Sequence, residues 1–283
     1  MSSVFLGSSP LRPLRWMLAL LLAPALLGHP AAAQKAPLSD RLEGFDTQLE
    51  QVMDDWSVPG LAIAVVTDSA VVWSRGFGDR NVKSGDPVTD RTLFAIGSTT
   101  KAFTAAGLGI LHDEGQLDWD TPVQEYLPRF RMHDEFATEE MTPVDLLTHR
   151  SGLPRHDLLW YATDYSRESL FERLRHLKPS ASFRSTFQYQ NLMYMTAGYL
   201  AGQISGRGWE TFTRRRLLAP LGMSRTTFSV DSMQTTDDYA RPYGGDRDTI
   251  EATGYYSIDA IGPAGSINSS VSEMTEWVQL LLN

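Results

Sequence analysis

Residues 192–204 are apolar on nearly every side of a helix, and this segment constrains the fold more than any other part of the chain. A helix that is hydrophobic all round is buried in a core, because a surface helix keeps one polar face. We therefore predict a core helix here. The chain has 283 residues, which is enough to build one large core or two closely packed lobes around it.

The rest of the pattern predicts a mixed architecture. Two β-rich runs, residues 61–66 and 71–77, flank a short polar turn and predict a hairpin. Helical segments follow, with a capping threonine and a proline suited to a first helical turn at Thr142-Pro143. The acidic residues 134–140 predict a solvated loop. The expected class is α+β, rather than a barrel or a Rossmann repeat.

A further helix is predicted from about Ser98 to residue 114, with Gly115 as its C-terminal stop. Its apolar residues recur with helical spacing and predict a packed face that includes Phe103 and Leu111. At about 100° per residue, Ser98 and Lys101 fall on roughly the opposite side. The helix is therefore expected to pack by one face and to present these two residues on the other.

Ser98 and Lys101 are three residues apart, so their side chains are neighbours on the helix. A serine hydroxyl is a weak nucleophile that needs a base, and a lysine of lowered pKa can serve. The free N–H groups at a helix start can stabilise a developing oxyanion. An isolated Ser-x-x-Lys is nevertheless common, and its ordinary interpretation is a helix cap followed by a surface lysine.

A second motif, Tyr189-x-Asn191, stands just before the predicted core helix. A tyrosine can shuttle protons when a cation favours its phenolate, and an asparagine offers both a donor and an acceptor to a substrate amide. This motif is also weak alone. The two motifs are stronger evidence together than either is alone, and the stretches around them add to that evidence.

Five stretches, in this order, resemble the class C β-lactamase-related serine hydrolases, a family of β-lactamases, D-Ala-D-Ala peptidases, D-amino-acid amidases and short-chain esterases. The resemblance covers about residues 40–283, and the absence of a Ser-Asp-Asn triplet favours class C over class A. The matching stretches are residues 94–101, 146–154, 187–194, 218–223 and 263–266.

The resemblance implies a β-lactamase/transpeptidase-like fold, in which an antiparallel sheet is flanked by helices and joined to a helical lobe. It implies Ser98 as the acylated nucleophile, Lys101 as the lysine that helps deprotonate it, and Tyr189 as the residue that passes the proton to the leaving group. Asn191 would hold Lys101 and the substrate amide. The division of the base role between Lys101 and Tyr189 stays open.

The implied reaction is acyl transfer to water without a cofactor or a metal, on an amide, β-lactam or ester bond. The expected partner is a small-molecule or peptide substrate, and the oligomeric state stays open. An alternative is a catalytically impaired peptidoglycan- or peptide-binding protein on the same scaffold. The net charge of −9 disfavours nucleic acid as a partner.

Other polar clusters are interpreted as structural. The run from His149 to Gly152 could suggest a Ser-His pair, but the resemblance makes it a turn after a helix. The triplets that begin at His112 and His133 lack the His-Glu-x-x-His spacing of a zinc site, so solvated helix ends or loops are expected there.

Family members carry a later Lys-Thr-Gly or His-x-Gly strand that lines the pocket and supplies part of the oxyanion hole. The triplet Lys83-Ser84-Gly85 precedes Ser98 and is interpreted as a turn. The chain is therefore expected to be truncated, with its last sheet strands missing. We expect such a chain to be poorly active and marginally folded by itself.

The N-terminus has the features of a signal peptide. Arg12 and Arg15 precede an apolar run at residues 16–27, and Ala31 to Ala33 form a cleavage site before Gln34. The run is shorter than the roughly 20 residues that cross a bilayer. We therefore expect residues 1–33 to be removed, leaving a single exported hydrolase domain at residues 34–283, periplasmic or secreted, without a membrane span.

Overall fold

The computed structural model describes residues 38–246 and 249–283. The predicted signal peptide at residues 1–33 lies outside these residues. Within the described ranges, no helix is both long enough and apolar enough to cross a membrane.

Two helices, α1 (Leu38–Arg41) and α2 (Phe45–Trp56), precede an antiparallel sheet. Strands β1 (Gly60–Val66), β2 (Val71–Asn81) and β3 (Asp86–Pro87) are ordered β1-β2-β3. The predicted hairpin is confirmed, since β1 and β2 pair with each other. Apolar and β-branched residues dominate β1, as is usual in strands.

Two smaller antiparallel ladders follow. Strand β4 (Phe94–Ala95) pairs with β7 (Asn268–Ser269), and β5 (Tyr243–Asp246) pairs with β6 (Thr249–Ala252). The β4–β7 pair matters most for the site, because it brings the residues just before Ser98 against the segment that follows residue 263.

Ten further helices, α3 to α12, lie in the rest of the described chain. Three 3₁₀ turns also occur after α3, at Asp157–Leu159, Leu174–His176 and Asp259–Ile261, and a π-helical turn lies at Arg214–Leu218. In chain order the helices are α3 (Thr100–Asp113), α4 (Val123–Tyr126), α5 (Glu135–Glu140), α6 (Pro143–Leu147), α7 (Arg167–Arg173), α8 (Asn191–Ser205), α9 (Trp209–Thr213), α10 (Val230–Gln234), α11 (Gly262–Gly265) and α12 (Val271–Leu282).

Helix α8 is the predicted core helix, and the structure confirms it. Most of its side chains are buried, and α3, α6, α7, α9 and α11 pack around it. The contact with α11 is close: a Cβ on Gly198 would lie 2.2 Å from the ring of Pro263. Only glycine allows the two helices to approach this far.

Helix α3 lies between two hydrophobic clusters. Leu108 and Leu111 belong to the larger cluster around α8, while Phe103 belongs to the smaller one and stacks on Trp277 of α12 with ring centroids 4.0 Å apart. The expectation that α3 packs by one face only is wrong for Lys101. That side of α3 is covered by α8 and α11, so Lys101 is only 7% exposed.

The structure also overturns the prediction of a loop in the acidic segment. Residues 134–140 contain a helix, α5, rather than a loop, because the Asp134 side chain caps it by accepting the Ala137 N–H at 3.0 Å. The predicted start at Thr142 is confirmed. Its hydroxyl accepts the N–H of Asp145, whose carboxylate accepts the N–H of Thr142 in return.

The described residues thus form an α+β fold in which α3 belongs to the helical lobe and meets α12, the helix that packs on the antiparallel sheet. The sheet is flanked by helices: α2 contacts β2 through Phe45 and Trp73, whose ring centroids lie 5.5 Å apart, and α12 packs on β1. This is the class that the sequence predicts.

Candidate active site

Ser98 lies in a 3₁₀ turn, Gly97–Thr99, between β4 and α3. The turn is anchored from behind, since the Ile96 N–H donates to the carbonyl of Ile267 at 3.0 Å. Gly97 has a φ of +51°, a left-handed conformation that glycine adopts without strain. The result is a solvent-exposed serine at the start of a helix whose other residues are largely buried.

Lys101 lies one turn further on, beneath Ser98. Its Nζ donates to the Oδ1 of Asn191 at 2.9 Å and to the carbonyl of Ala264 at 2.6 Å. The same nitrogen lies 3.2 Å from the Oγ of Ser98. Two of the three N–H groups of the Lys101 ammonium thus donate to the acceptors on Asn191 and Ala264, and the third faces the Oγ of Ser98.

The surroundings of Lys101 disfavour its charge. Burial is the largest effect, and together with the nearby cation of Arg155 it lowers the pKa of Lys101 below the ordinary range, although Tyr189 and Asp157 oppose the shift. A lysine of lowered pKa exchanges a proton more readily near neutral pH than an exposed lysine does.

Tyr189 reaches Ser98 from the other side of the site. Its Oη lies 2.6 Å from the Oγ of Ser98. Burial acts to raise the pKa of Tyr189, but the ammonium of Lys101, the hydroxyl of Ser98 and the guanidinium of Arg155 outweigh it, so this pKa is lowered overall. The phenolate is therefore more accessible here than in an isolated tyrosine.

Asn191 is the first residue of α8 and is buried. Its Oδ1 accepts from Lys101, and its Nδ2 lies 3.5 Å from the Oδ1 of Asp157. The structure therefore brings together all four residues that the sequence singled out, and Asn191 fixes the direction of the lysine.

The sequence did not indicate three other groups at the site: the carbonyl of Ala264, the guanidinium of Arg155 and the carboxylate of Asp157. The carbonyl of Ala264 is a backbone group, although residues 263–266 were among the matching stretches. The guanidinium of Arg155 lies 5.1 Å from the ring centroid of Tyr189, and its Nε donates to the Oδ2 of Asp157 at 2.6 Å. These two residues directly follow the predicted turn, but no motif marks them.

The run after α6 is a turn, as the sequence predicted. His149 is left-handed, with φ +57°, and buried, and its Nδ1 accepts the N–H of Gln190 at 3.0 Å. Ser151 is buried as well, and its Oγ accepts the N–H of Leu153 at 3.3 Å. Both polar groups are thus engaged with the backbone of the turn and its neighbour, and they do not form a nucleophile–base pair.

No cluster of three or more His, Cys, Asp or Glu side chains suited to a metal ion occurs in the described part of the chain. His112 instead places its Nδ1 2.9 Å from the carbonyl of Leu117, where it closes the end of α3.

Two proteins of known sequence are similar to this chain over most of its length. An unguisins hydrolase of Aspergillus campestris is 33% identical over 85% of this chain and 47% of its own length. A second unguisins hydrolase, from Aspergillus violaceofuscus, is 32% identical over 87% of this chain and 46% of its own. The chain thus spans about half the length of these relatives.

Solved structures of similar fold include the octameric penicillin-binding protein homologue of Pyrococcus abyssi, with a TM-score of 0.74 and 28% identity over 84% of this chain and 56% of that one. The D-alanine carboxypeptidase AmpC of Burkholderia cenocepacia has a TM-score of 0.70 and 24% identity over 86% of this chain and 64% of its own. The Beta-lactamase family model matches residues 45–283. The chain belongs to the β-lactamase family.

Proposed function

We propose that this chain is a serine hydrolase that acts through an acyl-enzyme on Ser98. One observation carries the proposal: the Oγ of Ser98 lies within hydrogen-bonding distance of both the Oη of Tyr189, at 2.6 Å, and the Nζ of Lys101, at 3.2 Å. A hydroxyl that contacts two proton-exchanging groups of lowered pKa is the arrangement expected of an activated nucleophile.

In the first step, Tyr189 is the phenolate; the Oγ of Ser98 attacks the carbonyl carbon of the substrate, and its proton passes to the phenolate oxygen of Tyr189, which becomes a neutral phenol. The ammonium of Lys101 stays beside both oxygens and stabilises the charge that develops. We expect the backbone N–H of Ser98 to face the oxyanion, because the N–H groups of Thr99 and Thr100 already donate to the carbonyls of Ile96 and Gly97.

The tetrahedral intermediate then collapses. The bond between the carbonyl carbon and the leaving group breaks, and Tyr189 returns the proton to the departing nitrogen or oxygen. A water molecule next attacks the Ser98 ester by the same route in reverse, which releases the acid and the free serine.

The substrate class that we propose is an amide, β-lactam or ester bond in a small molecule or a peptide. The names of the two fungal relatives support hydrolysis. The acidic chain, with a net charge of −9, supports a substrate other than nucleic acid.

Intact-mass labelling with a fluorophosphonate tests the proposal. We expect a single adduct on the wild-type chain, none on Ser98→Ala, and an unchanged adduct on Ser69→Ala, which alters an exposed serine in the hairpin turn. A folded wild-type sample without any adduct would overturn the proposal and favour a non-catalytic peptide-binding protein.

We also propose that the chain is exported and that residues 1–33 are removed, on the basis of Arg12, Arg15 and the apolar run that follows them. The protein recovered from the periplasm or medium of an expressing bacterium should begin at Gln34 on N-terminal sequencing. Recovery only in the cytoplasm, with the N-terminus uncut, would contradict this.

A further inference from the structure

One histidine holds the chain on both sides of Tyr189. The carbonyl of His149 accepts the N–H of Gln188 at 2.8 Å, and its Nδ1 accepts the N–H of Gln190 at 3.0 Å. Because Tyr189 lies between these two residues, both flanking segments of its backbone are fixed by the same residue.

The imidazole of His149 also packs on the phenol itself. Its ring centroid lies 4.5 Å from that of Tyr189, 5.2 Å from that of Tyr194 and 5.4 Å from that of Phe187. His149 is only 8% exposed. The direction of a phenolic oxygen follows the plane of its ring, so this packing sets where the Oη of Tyr189 points.

The hydrogen bond to Gln190 requires a neutral imidazole. A ring nitrogen that accepts an N–H carries no proton of its own, so the proton of His149 lies on Nε2. Burial, followed by the positive charge of Lys101, lowers the pKa of His149 below its ordinary value.

The ionisable groups around this ring do not favour its protonation. They are Lys101 on α3, Tyr189, Tyr194 on α8, and the pair Arg155 and Asp157, whose arginine lies over the ring of Tyr189. Tyr194 is uncharged near neutral pH, since burial raises its pKa, and Asp157 is already paired with Arg155.

We infer that His149 is a positioning residue, which in its neutral form holds the Oη of Tyr189 against Ser98. The inference rests on the proposed function of those two residues. Protonation of His149 would set an N–H on Nδ1 against the N–H of Gln190 and would add a cation near Lys101. The segment that carries Tyr189 should then move, and acylation of Ser98 should slow.

The sign of the pH dependence follows from the lowered pKa. Well above about pH 6.5, the ordinary pKa of histidine, His149 is neutral in both folded and unfolded chains, and its contribution to folding is complete. As the pH falls towards the lowered folded value, the unfolded chain binds the proton first. Stability and acylation should therefore both decline on the acid side.

Two variants of residue 149 both remove the imidazole ring, and they differ in whether an acceptor for the N–H of Gln190 remains. Asparagine and glycine both tolerate the left-handed conformation of residue 149. In His149→Asn, the Oδ1 replaces Nδ1 as the acceptor for Gln190 and does not titrate. In His149→Gly, both the acceptor and the ring contact are lost.

We expect His149→Gly to slow fluorophosphonate acylation by about 10–100-fold, the scale of a displaced catalytic group. With a chromogenic ester, kcat should fall while KM changes little. His149→Asn should slow acylation less than His149→Gly does, because the acceptor for Gln190 remains. It should lose the part of the acid-side decline that comes from protonation of His149, while keeping the part that comes from Tyr189. Equal rates in the wild type and in His149→Gly, or an unchanged acid limb in His149→Asn, would overturn the inference.

A measurement on the wild-type chain that does not depend on activity keeps the inference testable even if the variants fail to fold. NMR of the uniformly ¹⁵N-labelled wild-type chain should show His149 neutral, with its proton on Nε2, at pH values where exposed histidines are protonated. Its protonation at lower pH should coincide with a shift of the Gln190 amide.

A His149 ring that carries its proton on Nδ1, or that titrates near pH 6.5 as an exposed histidine does, would overturn the inference even if Ser98 is labelled. Conversely, the expected NMR result without any Ser98 adduct would mean that the proposed hydrolase function has failed while the contact between His149 and the Tyr189 segment stands.

Discussion

The Oγ of Ser98 has two polar neighbours that are not equivalent. Lys101 has two of its positions fixed by Asn191 and Ala264, and its Nζ lies 3.2 Å from the serine. The Oη of Tyr189 is closer, at 2.6 Å. The geometry therefore favours Tyr189 as the group that receives the serine proton, with Lys101 as the cation that stabilises its phenolate.

Removing the Tyr189 oxygen tests this assignment. Tyr189→Phe keeps the ring that contacts His149 and Arg155, so the free energy of unfolding should change by only about 1 kcal/mol. Acylation of Ser98 should slow by about 10²–10⁴-fold, the usual contribution of a general base. The measurements are stopped-flow acylation with a chromogenic ester and urea denaturation.

Tyr194→Phe is the matched control. It removes a hydroxyl that donates to the carbonyl of Leu147 at 3.0 Å, and the remaining ring still lies 5.4 Å from the Nζ of Lys101.

The wild-type rate should rise with pH as Tyr189 loses its proton, and this rise should occur below the ordinary tyrosine pKa because the pKa of Tyr189 is lowered. If that rise survives in Tyr189→Phe, the base is Lys101 instead.

At the scale of elements, the contact between α8 and α11 couples packing to chemistry. Gly198 lies against Pro263, the neighbour of the Ala264 carbonyl that holds Lys101. The hydroxyl of Thr104 also donates to the carbonyl of Pro263 at 2.8 Å. A side chain at residue 198 would push α11 away from both α8 and α3.

We expect Gly198→Ala to destabilise the fold by about 1–3 kcal/mol, the usual cost of overpacking a core. It should also slow acylation, because the Ala264 carbonyl moves away from Lys101. Gly109→Ala on α3 is the control, since nothing lies within 4 Å of the added methyl. In a helix interior, that change should stabilise the fold by about 0.5–1 kcal/mol. Thermal unfolding of both variants decides, and equal stability of Gly198→Ala and wild type would refute the argument.

At the scale of the whole molecule, the sequence predicts best what local patterns encode. The hairpin, the start of α6 at Thr142 and the burial of α8 all follow from spacing and residue type. Neither Ser98-x-x-Lys101 nor Tyr189-x-Asn191 identifies the site alone, because both spacings are common; the site is predictable because the two motifs occur together among stretches that resemble a known family.

What the sequence does not predict depends on which distant segments meet. The two-residue pairing of β4 with β7 has no local pattern. The carbonyl of Ala264 is a backbone group, and any residue type supplies one. Arg155 and Asp157 become part of the site only because the loop after the turn crosses the ring of Tyr189. The burial of Lys101 is likewise a property of α8 and α11.

The anchoring of the Ser98 turn by residues 263–269 has a consequence for the timing of folding. Lys101 and Ala264 are 163 positions apart, and the N–H of Ile267 donates to the hydroxyl of Thr100 across 167 positions. Contacts of such long range cost loop-closure entropy before they stabilise anything, so they form late. During synthesis, Ser98 leaves the ribosome well before the segment that fixes its helix start. The nascent chain therefore carries an ordinary serine and an ordinary lysine, and the reactive pair comes into being only when the distant segment arrives and docks.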